Sequence, residues 1–386
     1  MTPKKILSFV VDRANYGRMR PVLKRMNNSS CIDSKIVATG SFVLRRFKSP
    51  VDFMDKDGLS VDHVVQMEIE GSNNLSMTKS IGLGIIEYSN ILATEDPDIV
   101  LLIGDRYEAL AAAIAATYMK IPIAHIQGGE VSGSLDEYAR HAISKLATYH
   151  FPATERSAHY LYLMGEPKDK IYLVGCPVGE LVADTPDHVD WDTINNVLLG
   201  QKIESEQKFL LVVQHPNTSK NEEVEIIKNM LQAISNVSIQ TIWLWPNIDA
   251  SSDLISKELR KYREKEINTK ISFATNFSPE LYQSLLKNTA CAIGNSSSFI
   301  RDASFSGTPV VIVGDRQIGR EFSSNIIIDD GHSHIALKDN ILRQLSVKRY
   351  HPSNLYGDSL AAEKIVSSLE KLSVSSDPKV LDYIYR

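Results

Sequence analysis

The chain has 386 residues, 43% of them hydrophobic and 23% charged, with a formal net charge of -5. That length exceeds one ordinary core and predicts two domains, with the composition of a folded globular protein. The negative balance excludes a nucleic-acid binder that works by broad electrostatic attraction, and no apolar run approaches the ~20 residues that a membrane helix needs.

The first residues, Met1 to Val11, carry two lysines and a short apolar run, but Asp12-Arg13 stands where a signal peptide needs small residues. The cysteines Cys31, Cys176 and Cys291 lack metal-ligand spacing and lie in or near apolar strands. They read as buried free thiols of a cytoplasmic protein.

Ile6 to Val11 is a first buried strand, stopped by the polar turn Asp12-Arg13-Ala14-Asn15-Tyr16-Gly17 before a helix from about Arg18 to Met26. Doubly wound folds bring a ligand phosphate or base to this turn; the absence of GxGxxG excludes the usual dinucleotide fingerprint. A strand at Ser34 to Ala38 leads into an irregular stretch, Thr39 to Asn74, whose length points to a functional lid or a disordered segment. A helix follows over about Ser76 to Thr94.

Ile99 to Ile103 is too continuously apolar for a half-exposed strand and reads as buried on both faces. Behind it come Gly104-Asp105-Arg106 and an alanine-rich helix. A second apolar run, Ile121 to Ile126, leads to Gln127-Gly128-Gly129-Glu130 and a helix carrying Asp136, Arg140 and His141. This βαβα unit puts both polar clusters beyond the carboxyl ends of parallel strands, where open sheets bind ligands. Strands at His150 to Ala153 and Ile171 to Val174 flank a helix over Glu155 to Met164, and the polar stretch Asp184 to Asp190 marks a change of domain. The division expected is 1–178 and 179–365, with a terminal helix over about 366–386 packing back on the first domain.

The second half repeats the pattern. Strands are read at Phe209 to Val213, Thr241 to Trp245, Ile271 to Ala274, Ala290 to Ile293, Val310 to Val313 and Asn325 to Ile328. Helices alternate with them, and two more, about Ser333 to Leu345 and Ser359 to Leu372, follow the last strand. The fold class is α/β, two doubly wound Rossmann-like domains facing across a cleft, as in glycosyltransferases of the two-Rossmann type.

Three clusters carry chemistry. Gly294-Asn295-Ser296-Ser297-Ser298 offers backbone N–H groups and hydroxyls at a helix start, a place for a diphosphate; the plain alternative is a serine N-cap. Asp302 on the next helix suits ribose hydroxyls, Arg316 suits a base or phosphate, and His215 in Gln214-His215-Pro216 can donate to phosphate or shuttle a proton. Each has a bland alternative in a surface or structural role. Asp105, Glu130 and Asp136, with Arg106, Arg140 and His141, make a crowded charged set of the kind that creates distinct acids and bases, the alternative being a salt-bridge network. His125 reads as a satisfied core histidine.

These motifs, together with Arg140-His141-Ala142-Ile143-Ser144-Lys145, Pro246-Asn247-Ile248-Asp249-Ala250 and Arg316-Gln317-Ile318-Gly319-Arg320-Glu321, occur in an order that closely resembles the hydrolysing UDP-N-acetylglucosamine 2-epimerases. That family includes a bacterial sialic-acid pathway enzyme and half of an animal bifunctional epimerase/kinase. The resemblance spans Lys5 to about Leu372. It implies UDP contacts at Arg13, Gly17, Arg106, His215, Asn247, Ser296, Ser297, Asp302 and Arg316, with catalytic positions at Asp105, Gln127, Glu130, Asp136, Arg140 and His215. Gln127 replaces a glutamate of the animal enzyme, and an amide cannot act as acid or base; at Gly17 only a backbone contact survives.

The implied reaction takes UDP-N-acetylglucosamine and water to N-acetylmannosamine and UDP, by elimination to a glycal and then hydration. It needs a base, an acid and stabilisation of the leaving diphosphate, with no cofactor and no metal. The partners expected are a UDP-sugar, no nucleic acid and no membrane, in a homodimer or homotetramer. Rival readings are a UDP-N,N'-diacetylbacillosamine 2-epimerase of a legionaminic-acid pathway, a true glycosyltransferase, and a UDP-sugar sensor without turnover.

Overall fold

The computed structural model describes residues 2–44, 51–71, 73–132, 136–216, 220–245, 252–265, 269–374 and 379–380. It separates into two compact units, Met1–Val131 with Leu135–Leu181 and Tyr356–Arg386, and Ser132–Ser134 with Val182–Leu355.

In the first unit six parallel strands are β1 (Lys4–Val10), β2 (Ile32–Thr39), β3 (His63–Val65), β4 (Ile99–Ile103), β5 (Ile123–Ile126) and β6 (Tyr149–Phe151), in the order β3-β2-β1-β4-β5-β6. Helices α1 (Arg13–Asn27), α2 (Val51–Lys56), α3 (Asn74–Glu95), α4 (Tyr107–Tyr118), α5 (Asp136–Leu146) and α6 (Glu155–Leu163) join them, and α7 (Val178–Asp184) follows. All five residues of β4 are buried. Its side chains alternate between two apolar clusters, one holding Ile99, Leu101 and Ile103, the other Val100 and Leu102. Each such side chain contributes roughly 1.5–3 kcal/mol.

The second unit repeats the scheme. α8 (Trp191–Val197) leads to β7 (Phe209–Val213), α9 (Lys220–Val237), β8 (Gln240–Leu244), α10 (Ser252–Lys265), β9 (Ile271–Ala274), α11 (Pro279–Asn288), β10 (Cys291–Gly294), α12 (Ser298–Ser306), β11 (Val310–Val313), β12 (Ile326–Asp329) and α13 (His334–Ser346). The order is β12-β11-β10-β7-β8-β9. Counted from each unit's own first strand, the two sheets have one order, 3-2-1-4-5-6, so each has a switch point between its first and fourth strands. The α/β doubly wound class expected from the sequence is present in both units. The last helix, α14 (Ala361–Lys371), belongs to the first unit. Its start is held by Glu180, whose Oε1 accepts from the N–H of Ala362 at 2.9 Å, and its end by Lys4, whose Nζ donates to the Leu369 carbonyl at 2.6 Å.

Five expectations change. The turn expected over Asp12 to Gly17 shrinks to Asp12, since Arg13 to Gly17 already lie in α1, which Asp12 caps. The terminal helix expected over about 366–386 starts at Ala361 and ends at Lys371. The stretch Thr39 to Asn74 holds a 3-10 turn over Gly40–Val43, α2 and the edge strand β3. A three-residue strand with Val64 58% exposed is too short and too open to show a period. Ile171 to Val174 is not a strand: one bridge joins Ile171 to His150, and the Val174 N–H then bonds the Pro152 carbonyl at 3.2 Å as the chain leaves the sheet edge. Cys31 is exposed, because it precedes β2 in a turn rather than lying inside the strand; Cys176 and Cys291 are buried free thiols.

Candidate active site

In the first unit the loops after β1 and β4 meet at the switch point. Asp12 caps α1, its Oδ1 accepting from the Asn15 N–H at 2.6 Å, while the Asn15 amide donates to the Ile103 carbonyl at 3.2 Å. That bond ties the start of α1 to the end of β4. Arg13 opens α1, and burial lowers its guanidinium to about 10, with Asp12 working against the shift. Gly17 lies one turn further along, half-buried.

After β4, Asp105 forms an ion pair with the fully buried Arg140 of α5, and the Arg140 Nη1 donates to the Glu130 carbonyl at 3.1 Å. One guanidinium thus joins the loop after β4 to the loop after β5. Asp136 is the first residue of α5, on the same helix as Arg140. Arg106 presents a fork to Glu108, with Nε to Oε2 at 3.1 Å and Nη2 to Oε1 at 2.9 Å, and lies 3.6 Å from Asp12. Glu108 is wholly buried, and burial pushes its carboxyl up to about 7 against the pull of Arg106.

Gln127 has a left-handed backbone, φ 64°, and a fully buried side chain. Its Oε1 accepts from Arg18 Nη1 at 3.0 Å and its Nε2 donates to the Cys176 Sγ at 3.0 Å. The amide is spent at both ends and orients Arg18. Gly129 follows at φ 75°, where a Cβ would stand 2.3 Å from the Ser157 carbonyl, so only glycine fits. His125 is a satisfied core group, as expected: Nε2–H donates to the Gly104 carbonyl at 2.8 Å, which leaves Nδ1 to accept from Ser144 Oγ at 3.2 Å. Burial drives it down to about 3, so it stays neutral.

In the second unit the loops after β7 and β10 meet at the corresponding point. The Asn295 side chain brackets His215, its Oδ1 accepting from the His215 N–H at 2.7 Å and its Nδ2 donating to the His215 carbonyl at 2.9 Å. The close approach requires Gly294: a Cβ there would stand 2.1 Å from the Val213 carbonyl oxygen. Ser297 occupies the N-cap of α12 without a side-chain cap bond, and Ser296 Oγ bonds Ser298 Oγ at 2.8 Å. The helix start therefore presents hydroxyls and N–H groups, the chemistry of an anion site. Arg316 Nη1 donates to the Asn295 carbonyl at 3.4 Å, and Asp302 Oδ2 accepts from Gln283 Nε2 at 2.6 Å.

The structure thus brings Asp105, Arg140 and the Glu130 backbone together in one unit, and His215, Ser296 and Arg316 around Asn295 in the other. Asn247 lies outside the described residues. Sequence reasoning missed Glu108, Arg18 and Gln283, each of which fixes a predicted residue. Glu108 stood in plain view two positions after Arg106, but the alanines behind it made it read as an ordinary helix start. Among the described residues no group of three or more metal-type ligands occurs, and no helix is long and apolar enough to cross a membrane.

Comparison with known proteins adds a second line of evidence. The sequence profile of the family described as UDP-N-acetylglucosamine 2-epimerase matches residues 24–370. The chain is 33% identical over 376 residues to the UDP-N,N'-diacetylbacillosamine 2-epimerase (hydrolyzing) of Legionella pneumophila, covering 97% of each. It is 28% identical over 334 residues to the GDP/UDP-N,N'-diacetylbacillosamine 2-epimerase (hydrolyzing) of Campylobacter jejuni, covering 85% of this chain and 84% of that one. Its fold is similar to that of the UDP-GlcNAc 2-epimerase of Neisseria meningitidis solved with UDP-GlcNAc, with a TM-score of 0.80 at 20% identity over 95% of this chain and 100% of that one.

Proposed function

The chain belongs to the UDP-N-acetylglucosamine 2-epimerase family, and from that premise we propose that it is a hydrolysing 2-epimerase of a UDP-linked 2-acetamido sugar. The observation that carries this is the Asp105–Arg140 pair beside the Glu130 carbonyl, at the carboxyl ends of β4 and β5.

No carbonyl adjoins C2 of the sugar, so its hydrogen is not acidic. Departure of UDP, with or before proton loss, builds positive charge at C1. The C1–O bond electrons leave with the diphosphate, a carboxylate takes the C2 proton, and a C1–C2 double bond forms. Water then gives its oxygen to C1 while a proton reaches C2 from the opposite face, releasing the inverted free sugar. Asp105, Glu130 and Asp136 share the proton transfers, and Arg140 holds the Asp105 carboxylate in one orientation. Gln127, an amide, serves by orienting Arg18. In the second unit UDP is held by His215, Asn247, Ser296, Ser297, Asp302 and Arg316, the α12 start meeting the diphosphate and His215 protonating or stabilising it on leaving.

Sequence reading alone put UDP-N-acetylglucosamine first, with a role in sialic-acid biosynthesis. The relative at 33% identity over 97% of the chain moves UDP-N,N'-diacetylbacillosamine ahead of it. UDP-N-acetylglucosamine remains the second reading, supported by the Neisseria structure that binds it. The test incubates the protein with each UDP-sugar and no acceptor, with products followed by NMR. Free C2-inverted sugar and UDP are expected, faster from the diacetylbacillosamine substrate; a requirement for an acceptor, or binding without turnover, overturns the reading. Asp105→Asn is expected to abolish sugar release while UDP affinity stays within about threefold.

A further inference from the structure

Helix α5 leaves its last carbonyls in need of donors, as every helix does. Two of them, and the carbonyl of Ala147 just beyond the helix, are met from far along the chain. The Lys379 Nζ donates to the carbonyls of Ser144 at 3.1 Å, Lys145 at 2.8 Å and Ala147 at 2.7 Å. A positive charge at this end of a helix also suits the dipole, and with Glu166 beside it the three donors of the ammonium are shared among four acceptors.

The same ammonium reaches Glu166, a fully buried carboxylate that also accepts from His150 Nε2 at 2.9 Å and Lys145 Nζ at 3.0 Å. Burial opposes the charge on Glu166, but the bonds from His150 and Lys379 hold its carboxyl down to about 2. Lys379 is therefore anchored by an ionised group that is itself fixed.

From that end of α5, two links run to Asp105. Ser144, one of the carbonyls that Lys379 caps, bonds His125, and His125 donates to the carbonyl of Gly104, the residue before Asp105. Arg140, one turn earlier in α5, pairs with the Asp105 carboxylate. A shift of the helix along its axis disturbs both. We propose that Lys379 is a positioning residue for the reaction, holding α5 where Arg140 engages Asp105. The claim rests on the hydrolysing reading for its kinetic part, and on geometry alone for its structural part.

The test compares Lys379→Met, Lys379→Arg and wild type in the full chain. Turnover of both UDP-sugars, UDP affinity and amide hydrogen exchange over residues 136–147 are measured. Lys379→Met is expected to lower kcat about tenfold to a hundredfold, as small misplacements at a reacting centre do. KM and UDP affinity stay within about twofold while exchange over α5 rises, and Lys379→Arg recovers a large part of kcat. Unchanged kcat despite faster exchange, or parallel loss of kcat and UDP affinity, overturns the positioning role. So does Lys379→Arg performing no better than Lys379→Met. Should Lys379→Met fail to fold, Lys379→Arg and Glu166→Gln carry the same comparison. Absence of turnover in wild type overturns the hydrolysing reading instead, and exchange over α5 then decides whether Lys379 holds the helix.

Discussion

Two regions with the same topology carry opposite chemistry. After the first and fourth strands of the first unit stand ionisable side chains: Asp12, Asp105, Arg106 and, just behind, Glu108, with Arg140 closing on them from α5. After the corresponding strands of the second unit stand an amide and hydroxyls, with Asn295 bracketing the His215 backbone and Ser296 linked to Ser298. The fold supplies two equivalent places, and the loop residues decide what each does. Charges held close together need countercharges at fixed distances, so the first region is expected to fail steeply when one partner goes. Amides and hydroxyls share their load with the backbone, so the second is expected to weaken by steps.

Removing the shared guanidinium tests the steep side first. Arg140→Met strips Asp105 of its partner and the Glu130 carbonyl of a donor. Breaking a buried pair from one side costs about 3–5 kcal/mol, read as a lower urea midpoint, together with loss of turnover. A loss below about 1 kcal/mol would mean that the charges of the first region are no more interdependent than the polar groups of the second.

Glu108 comes next. Its folded pKa, raised from 4.5 to about 7 by burial, lies above its unfolded value. Its contribution to stability is therefore full below about pH 4.5 and is lost as pH rises to about 7. Two and a half pKa units correspond to about 3 kcal/mol across that window. Glu108→Gln removes the titration, so the urea-unfolding difference between variant and wild type should grow in favour of the variant from pH 4.5 to pH 7.5. A difference that is flat with pH would show that Glu108 stays ionised in the folded state.

In the second region, Asn295→Ala deletes both bonds to the His215 backbone and leaves part-buried partners unmet, costing about 1–3 kcal/mol and weakening UDP binding, measured by calorimetry. Asn295→Asp keeps the acceptor and loses the donor, and should fall between. Smallest of all, Ser297→Ala removes a hydroxyl that makes no cap bond. Stability should change by less than about 0.5 kcal/mol, with any larger effect confined to UDP affinity.

Much of this was legible before the structure. Runs such as Ile99 to Ile103 and Phe209 to Val213 announced themselves because every residue is buried, and no polar residue had to interrupt them. The polar motifs behind them marked the switch points for the same reason. Elements at sheet edges did not announce themselves: β3 is three residues long and half in solvent, and Ile171 makes one bridge before turning away. The groups that fix the site were harder still. Arg18 meets Gln127 across 109 positions and Lys379 meets α5 across more than 230, and no local pattern encodes such a meeting. The left-handed backbone of Gln127 is likewise imposed by its surroundings, since glutamine has no preference for it.

The proposed reaction releases the sugar from UDP while inverting C2. Turnover of UDP-N,N'-diacetylbacillosamine in deuterated, oxygen-18-labelled water tests it most directly. The prediction is free, C2-inverted sugar carrying one deuterium at C2 and oxygen-18 at C1, in equal amount to UDP. A C2-inverted sugar still attached to UDP, or free sugar without deuterium at C2, would contradict it.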